Sequence, residues 1–281
     1  MTRKQREIVH KVLSVLITLV VAVFALFPLY WILLTSFKKP GTEFLLPVTY
    51  WPAPFSLDAY KTILGPTFLA QRAILNSLIV SSCTTAGTLF ISALAAYSIA
   101  RLKFKYKWSS LLFVQIASML PPVIVIAPTF LIIRAMGLLG KLPGLIIPNL
   151  VYSIPMSTWL IASYFAGLPF ELEDAAKVDG SPPFKIFWQI MLPLTAPGLF
   201  SAGVIAFLGS WGEFMLATTI TMGLPQVQTV PVAIQSYSLA FTQQWTWISA
   251  GIVLSLIPVI ALVLIFQKWV VRGLTLGSAK Y

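Results

Sequence analysis

The sequence predicts an all-α, polytopic membrane protein with six transmembrane helices and one structured cytoplasmic loop. Three observations predict it. Of 281 residues, 58% are hydrophobic and 10% charged, whereas soluble domains carry about 25% charged residues; the mean hydropathy is +0.89. Several uncharged runs exceed the roughly 20 residues that a helix needs to cross an apolar core about 30 Å thick. The charge is lopsided, with 19 Lys+Arg against 8 Asp+Glu and a net +11. In a soluble protein that excess would suggest a nucleic-acid partner; in a membrane protein it sets orientation.

The runs follow in order along a single domain, 1–281. Residues 12–37 carry no charge. They are long for the apolar core of a signal peptide and lack a convincing small-residue cleavage site, so they read as the first span. Residues 73–100 make the second. The third and fourth, 108–133 and 142–168, are interrupted by Pro121, Pro122 and Pro128, and by Pro148 and Pro155. Irregular backbone is tolerated where it faces protein or a cavity, so these two spans are expected to line a path, a kink without a role being the alternative. The fifth span, 194–216, contains Glu213. Residues 218–246, rich in Gln, Thr and Ser, read as an outer loop, and 247–267 as the last span.

With the N-terminus inside, thirteen of the nineteen basic residues fall on the inner side, at Arg3, Lys4, Arg6 and Lys11, at Arg101, Lys103, Lys105 and Lys107, at Lys177 and Lys185, and at Lys268, Arg272 and Lys280. That is the expected inside-positive bias, and it puts both termini in the cytoplasm. Nucleic acid is no longer needed to explain the charge, and membrane lipid takes its place.

Catalytic chemistry is excluded group by group. No G-x-x-x-x-G-K-[ST] is present to cradle phosphates. One histidine (His10) and one cysteine (Cys83) cannot make a metal cluster, and no serine sits near a His–acid pair. No catalytic residue, bound metal or bound cofactor is expected.

The informative segment is the loop 169–193. Pro169 suits the start of a helix, and Glu171, Glu173 and Asp174 fall in its first turns, where carboxylates favour the positive end of the dipole. Leu172, Ala175, Ala176 and Asp179 share one face at helical spacing, and Gly180 supplies a left-handed stop. Ser181 is expected to cap a second helix with Pro182 at its first position, Phe184, Phe187, Trp188 and Met191 as its apolar stripe, and Pro193 as its end. Two short helices result. The first could enter a groove on another protein. The alternative, a helix pair lying on lipid, is disfavoured by acids facing an anionic leaflet.

Asp174-Ala175-Ala176, Gly180, Ile190 and Leu192-Pro193, at their spacing here, resemble the signature loop of the permease subunits of binding-protein-dependent ABC importers, and Lys177-Val178-Asp179-Gly180 resembles the sugar-import, maltose-type branch. Asp174 stands where that family usually has Glu; Glu173 beside it keeps the acidic character. Further resemblances are Pro28 to Trp31 and Ser36 to Lys38, Ala96 to Arg101, Trp211-Gly212-Glu213-Phe214, and the tail from Arg272 to Lys280. The resemblance implies that 169–193 is a coupling helix docking into a cytoplasmic ATPase through Glu173, Asp174, Ala175, Ala176, Asp179, Gly180, Ile190, Leu192 and Pro193. It implies that the tail, with Gly273, Leu274, Thr275, Gly277 and Lys280, reaches toward the ATPase dimer; a glycine-punctuated strand would suit close backbone approach to a partner, a frayed basic terminus being the alternative.

The same resemblance implies a second, non-identical permease, an ATP-binding subunit dimer that uses ATP and Mg, an extracytoplasmic solute-binding protein meeting residues 38–72 and 218–246, and location in the inner membrane of a bacterial or archaeal-type cell. The implied substrate is a sugar or oligosaccharide; glycerol phosphate or a polyamine is the alternative. A stand-alone ion-coupled transporter or channel would need several intramembrane ionisable groups, and only Glu213 qualifies. Glu213 is either a pathway group or a structural one at the outer boundary. Trp211 and Trp159 are candidates for stacking on sugar rings. Asn76 and Gln115 read as interhelical glue, and Arg134 as an outer anchor.

Overall fold

The computed structural model describes residues 3–119, 121–237 and 243–278. Every regular element among them is helical: α1 (Arg3–Ser36), α2 (Asp58–Ile63), α3 (Ala70–Arg101), α4 (Lys107–Ser118), α5 (Pro122–Ala135), α6 (Leu142–Ala166), α7 (Glu171–Val178), α8 (Pro183–Ile186), a π-helical turn at Phe187–Met191, α9 (Leu192–Leu194), α10 (Ala196–Trp211), α11 (Met215–Thr221), α12 (Val230–Ser236) and α13 (Trp245–Ser278).

Among the described residues, four helices are long and apolar enough to cross a membrane: His10–Ser36 in α1, α3, α6, and Trp245–Lys268 in α13. Two expected spans are built differently. The third is split into α4 and α5, because the consecutive prolines 121 and 122 supply no backbone N–H to continue a helix and Pro121 is extended, at φ −56°, ψ 129°. The fifth is the 16-residue α10, which at 1.5 Å per residue covers about 24 Å and meets Pro183–Leu194 at a 75° bend. The fourth is continuous: Pro148 and Pro155 lie inside α6 without breaking it.

Backbone contacts divide the chain into two units. The first comprises Met1–Ala70 and Ile234–Leu256. Residues 10–30 of α1 are exposed on every side, Phe24 by 82%, as suits a helix whose solvent is lipid. Burial begins in the last turn of α1, at Leu34, Thr35 and Ser36, and continues where the chain folds back. Phe37 stacks on Phe55 at 5.1 Å and lies 5.3 Å from Tyr60. Ser36 Oγ and Tyr60 Oη hydrogen-bond at 2.8 Å; burial nevertheless raises the Tyr60 phenol, the Ser36 bond offsetting part of the rise. Phe68 lies between Tyr237 (5.2 Å) and Trp247 (5.4 Å).

The second unit comprises Gln71–Ala233 and Ile257–Tyr281. One face of α3 is a row of buried hydroxyls, Ser77, Ser81, Thr84, Thr88 and Ser92. Such small side chains let helices approach closely, and Ser92 Oγ donates to the Ile154 carbonyl of α6 at 3.2 Å. Asn76 is glue of another kind: its Nδ2 donates to the Gln226 and Gln228 carbonyls, both at 3.0 Å, and so ties α3 to the segment before α12. Helix α10 packs on α6 so tightly that a Cβ on Gly198 would stand 2.5 Å from the Tyr164 ring. One apolar core joins Ala96 of α3, Ile161 and Phe165 of α6, Ala176 of α7, and Ile186, Phe187 and Met191.

Candidate functional site

The loop 169–193 folds into the two short helices expected, with shifted boundaries. Glu171, Glu173 and Asp174 occupy the first turn of α7, where the free N–H groups favour carboxylates. Its end is a Schellman motif: the Gly180 N–H donates to the Lys177 carbonyl and the Ser181 N–H to the Ala176 carbonyl, both at 3.0 Å, with Gly180 at φ +73°. The second helix begins one residue later than expected. Pro182 is the extended residue before it and Pro183 opens it, because the residue before a proline is pushed out of the helical region. Pro193 does not end the apolar stripe. A π turn at Phe187–Met191 carries the chain into α9, and the bend falls at Thr195, whose hydroxyl donates to the Met191 and Leu192 carbonyls.

The underside of α7 is held by a buried charge pair. Arg101, the last residue of α3, donates from Nε to Glu173 Oε1 at 2.6 Å, and the two side chains are 0% and 7% exposed. Its other nitrogens cap the chain beyond α6, with Nη1 on the Leu168 carbonyl (3.0 Å) and Nη2 on the Pro169 carbonyl (2.9 Å). The guanidinium carbon lies 4.2 Å from the Phe170 ring centroid. One planar side chain thus joins α3, the end of α6 and the start of α7, a use of the fixed guanidinium fork that an ammonium could not copy.

Burial divides the expected coupling residues into two sets. Glu173 and Ala176 face inward, and Ile190 and Leu192 pack partly against the same core. Leu172, Asp174, Ala175 and Asp179 face outward, with Val178 88% exposed. The expected face of Leu172, Ala175, Ala176 and Asp179 is therefore corrected: Ala176 belongs to the opposite side, and the free face is Leu172, Ala175, Val178 and Asp179. The second stripe splits likewise. Phe187 and Met191 are buried, while Phe184 and Trp188 are exposed and pack on each other at 6.0 Å. Pro193 is exposed. Asp174 pairs with Lys177 at 3.0 Å in the open; that hydrogen bond raises the Lys177 ammonium above its ordinary range, although exposed pairs of this kind contribute little to stability.

The three aromatic and acidic path candidates do not converge. Glu213 lines a cavity of about 520 Å³ between α6 and the α10–α11 corner, together with Tyr152, Ser153 and Ser157. Its carboxylate also caps α11: Oε1 accepts the Leu216 N–H and Oε2 the Ala217 N–H, each at 2.8 Å. Trp211 is buried, stacked on Phe207 at 5.7 Å, and is not among the cavity's lining residues. Trp159 lines a different cavity of about 340 Å³, with Lys107 and Phe170. Helix α13 continues to Ser278, so Gly273, Leu274, Thr275 and Gly277 are helical and not an extended strand; each glycine costs a helix only about 1 kcal/mol and no proline intervenes. Lys280 lies outside the described residues.

Sequence reasoning missed Arg101 as a site residue: it counts there as an orienting charge and as the end of the Ala96–Arg101 resemblance. Its partner is 72 positions away, so no local spacing signals the pair. An arginine closing the uncharged run 73–100, within a segment that resembles the family, and a loop richer in acids than in bases were the hints.

A family model described as the binding-protein-dependent transport system inner membrane component matches residues 88–276. The chain is 39% identical over 255 residues to the sulfoquinovosyl glycerol transport system permease protein SmoH of Agrobacterium fabrum, covering 91% of this chain and 89% of that one. It is 36% identical over 270 residues to the trehalose transport system permease protein SugB of Mycobacterium tuberculosis (95% and 96%). It is 33% identical over 278 residues to the trehalose/maltose transport system permease protein MalG of Thermococcus litoralis (98% and 99%). The fold is similar to that in the crystal structure of a bacterial ABC transporter involved in the import of the acidic polysaccharide alginate, with a TM-score of 0.78 at 19% identity over 95% of this chain and 98% of that one.

Proposed function

Because the chain belongs to the family of inner membrane components of binding-protein-dependent transport systems, we propose that it is one permease half of an ATP-driven importer of a sugar or oligosaccharide. Relatives that cover nearly the whole chain and carry sugar-transport names support the substrate class. The observation that carries the coupling role is α7 itself. Its inner side is locked to α3 and α6 through Arg101 and Glu173, while its outer side presents Leu172, Ala175, Val178 and Asp179 uncovered.

In this reading the polypeptide crosses the membrane six times with both termini in the cytoplasm, α4 and α5 together making the third crossing and α10 the core of the fifth. The free face of α7 enters a cleft on an ATP-binding subunit dimer, and the helical tail from Gly273 to Gly277 approaches that dimer. ATP and Mg are used by the partner; this chain binds neither and catalyses nothing. A second, similar permease completes the pathway, and a solute-binding protein delivers cargo to the outer loops. Motion of the ATPase reaches the spans because α7, α3 and α6 move as one body. A stand-alone ion-coupled transporter is disfavoured because it would need several intramembrane ionisable groups, and the predicted spans offer only Glu213.

The test is reconstitution with co-purified partners. ATP-dependent sugar uptake is expected, and Gly180→Arg or Asp174→Lys should abolish uptake and transport-coupled ATP hydrolysis while leaving membrane insertion intact. Normal uptake by either variant, or uptake without ATP, overturns the proposal.

A further inference from the structure

Gly209, in the last turn of α10, has no packing reason to be a glycine. Elsewhere on that helix, a Cβ on Gly198 would stand 2.5 Å from the Tyr164 ring, and one on Gly203 would come within 3.2 Å of Leu89. At Gly209 a Cβ meets nothing within 4 Å, and the position lies within a regular helix, where glycine costs about 1 kcal/mol relative to alanine. What the missing side chain does leave is room: Gly209 lines the 520 Å³ cavity.

The cavity's chemistry is one-sided. Tyr152, Ser153 and Ser157 of α6 and Glu213 at the α10–α11 corner are polar points in a lining that is mostly apolar, with Gly209 and Phe214 on the side of Glu213. Hydroxyls and an aromatic edge suit a hydroxyl-rich ring, which offers donors, acceptors and apolar C–H faces. No Lys, Arg or His is among the lining residues, and Glu213 is the single carboxylate. Its capping bonds leave lone pairs that accept from sugar hydroxyls, while its charge repels an anion within low-dielectric walls that concentrate the field.

Resting on the sugar-import reading, we infer that this cavity is a solute subsite contributed by this chain and that it selects uncharged, hydroxyl-rich solutes over acidic ones.

A cysteine probe tests it independently of the natural cargo. Cys83 is the chain's one cysteine, so Cys83→Ser with Gly209→Cys places a single thiol of this chain in the cavity. In the assembled transporter, this thiol is labelled with neutral hydroxyethyl, cationic trimethylammonioethyl and anionic sulfonatoethyl methanethiosulfonates, each rate being normalised to a small free thiol. The anionic reagent should lag the neutral one by roughly tenfold or more, and adding Glu213→Gln should remove most of the lag. Equal rates, a faster anion, or no labelling of a thiol that reacts once the chain is unfolded overturns the inference. If Glu213→Gln fails to assemble, the comparison of the three reagents on Gly209→Cys still decides.

Uptake by the unmodified transporter, over neutral and uronate-containing mono- to trisaccharides, separates the two levels. Import of only the acidic members overturns the inference and leaves the sugar reading standing. Import of none overturns the sugar reading, while the labelling rates still decide the cavity's charge preference.

Discussion

The guanidinium of Arg101 and the carboxylate of Glu173, 72 residues apart in the chain, meet at 2.6 Å beneath α7 with both side chains almost wholly buried. Breaking a buried pair from one side strands a charge, typically at a cost of about 3–5 kcal/mol. Arg101→Ala and Glu173→Ala should each lower the thermal midpoint by several degrees and uncouple ATP hydrolysis from uptake. Arg101→Lys should rescue little, since it cannot hold Glu173, Leu168 and Pro169 together. The double variant Arg101→Met/Glu173→Leu separates the two effects: it should recover stability more than coupling. Wild-type coupling in the single variants would show that α7 does not depend on this pair.

Gly180 closes α7 in the left-handed region at φ +73°, with open space where a Cβ would go. Gly180→Ala should therefore cost only the conformational penalty, about 1–2 kcal/mol, and Gly180→Asn less. Thermal unfolding in detergent reads the order Gly, Asn, Ala; an alanine as stable as glycine would contradict it.

Two glycines of one helix should respond oppositely to the same substitution. Gly198→Ala pushes a Cβ to 2.5 Å from the Tyr164 ring and should destabilise the α6–α10 packing, typically by about 1–3 kcal/mol. Gly209→Ala meets nothing and should stabilise by up to about 1 kcal/mol. The thermal midpoints of the two variants check the sign of each.

Glu213→Ala removes both side-chain acceptors from the first turn of α11. A loss of about 1 kcal/mol is expected, as for other N-terminal caps, with Glu213→Gln intermediate because it keeps one acceptor oxygen. Urea or thermal unfolding of the three proteins should rank Glu, Gln, Ala.

Tyr237 should be among the last tyrosines to ionise. Burial pushes its phenol from 10.0 up to about 12, because the charged form is disfavoured away from water. The folded pKa being the higher one, this contribution to stability is complete below pH 10 and is lost as pH rises through 12. Ultraviolet phenolate titration beside a thermal scan should show late ionisation coinciding with loss of structure around the Phe68–Tyr237 contact, and Tyr237→Phe should delay that loss.

Features written in contiguous residues were legible in the sequence. The apolar lengths of α1, α3, α6 and α13, the acidic opening of α7, and the left-handed glycine at its end each follow from spacing within a few turns. The misreadings share a cause. The face of α7 follows from helical spacing alone, which cannot tell that Ala176, at its edge, turns inward to the core that holds Phe165, Ile186 and Phe187. The Phe184–Met191 stripe reads as one apolar face, whereas the chain passes from α8 into a π turn and only Phe187 and Met191 are buried, Phe184 and Trp188 staying exposed. Trp211 and Glu213 are two residues apart, but one is in the core and the other at a cavity wall.

Composition and periodicities of three to four residues are enough to show that this chain is apolar enough for a membrane, which helices run long, and that an acidic, glycine-stopped helix interrupts a basic background. Which side of α7 is held and which is free, that Arg101 holds it, and that Gly209 borders a cavity while Gly198 fills a contact emerge from the packing of the helices. Those are relations between residues far apart in the chain, set by how α3, α6 and α10 close on one another, and no local pattern encodes a distance across a helix interface.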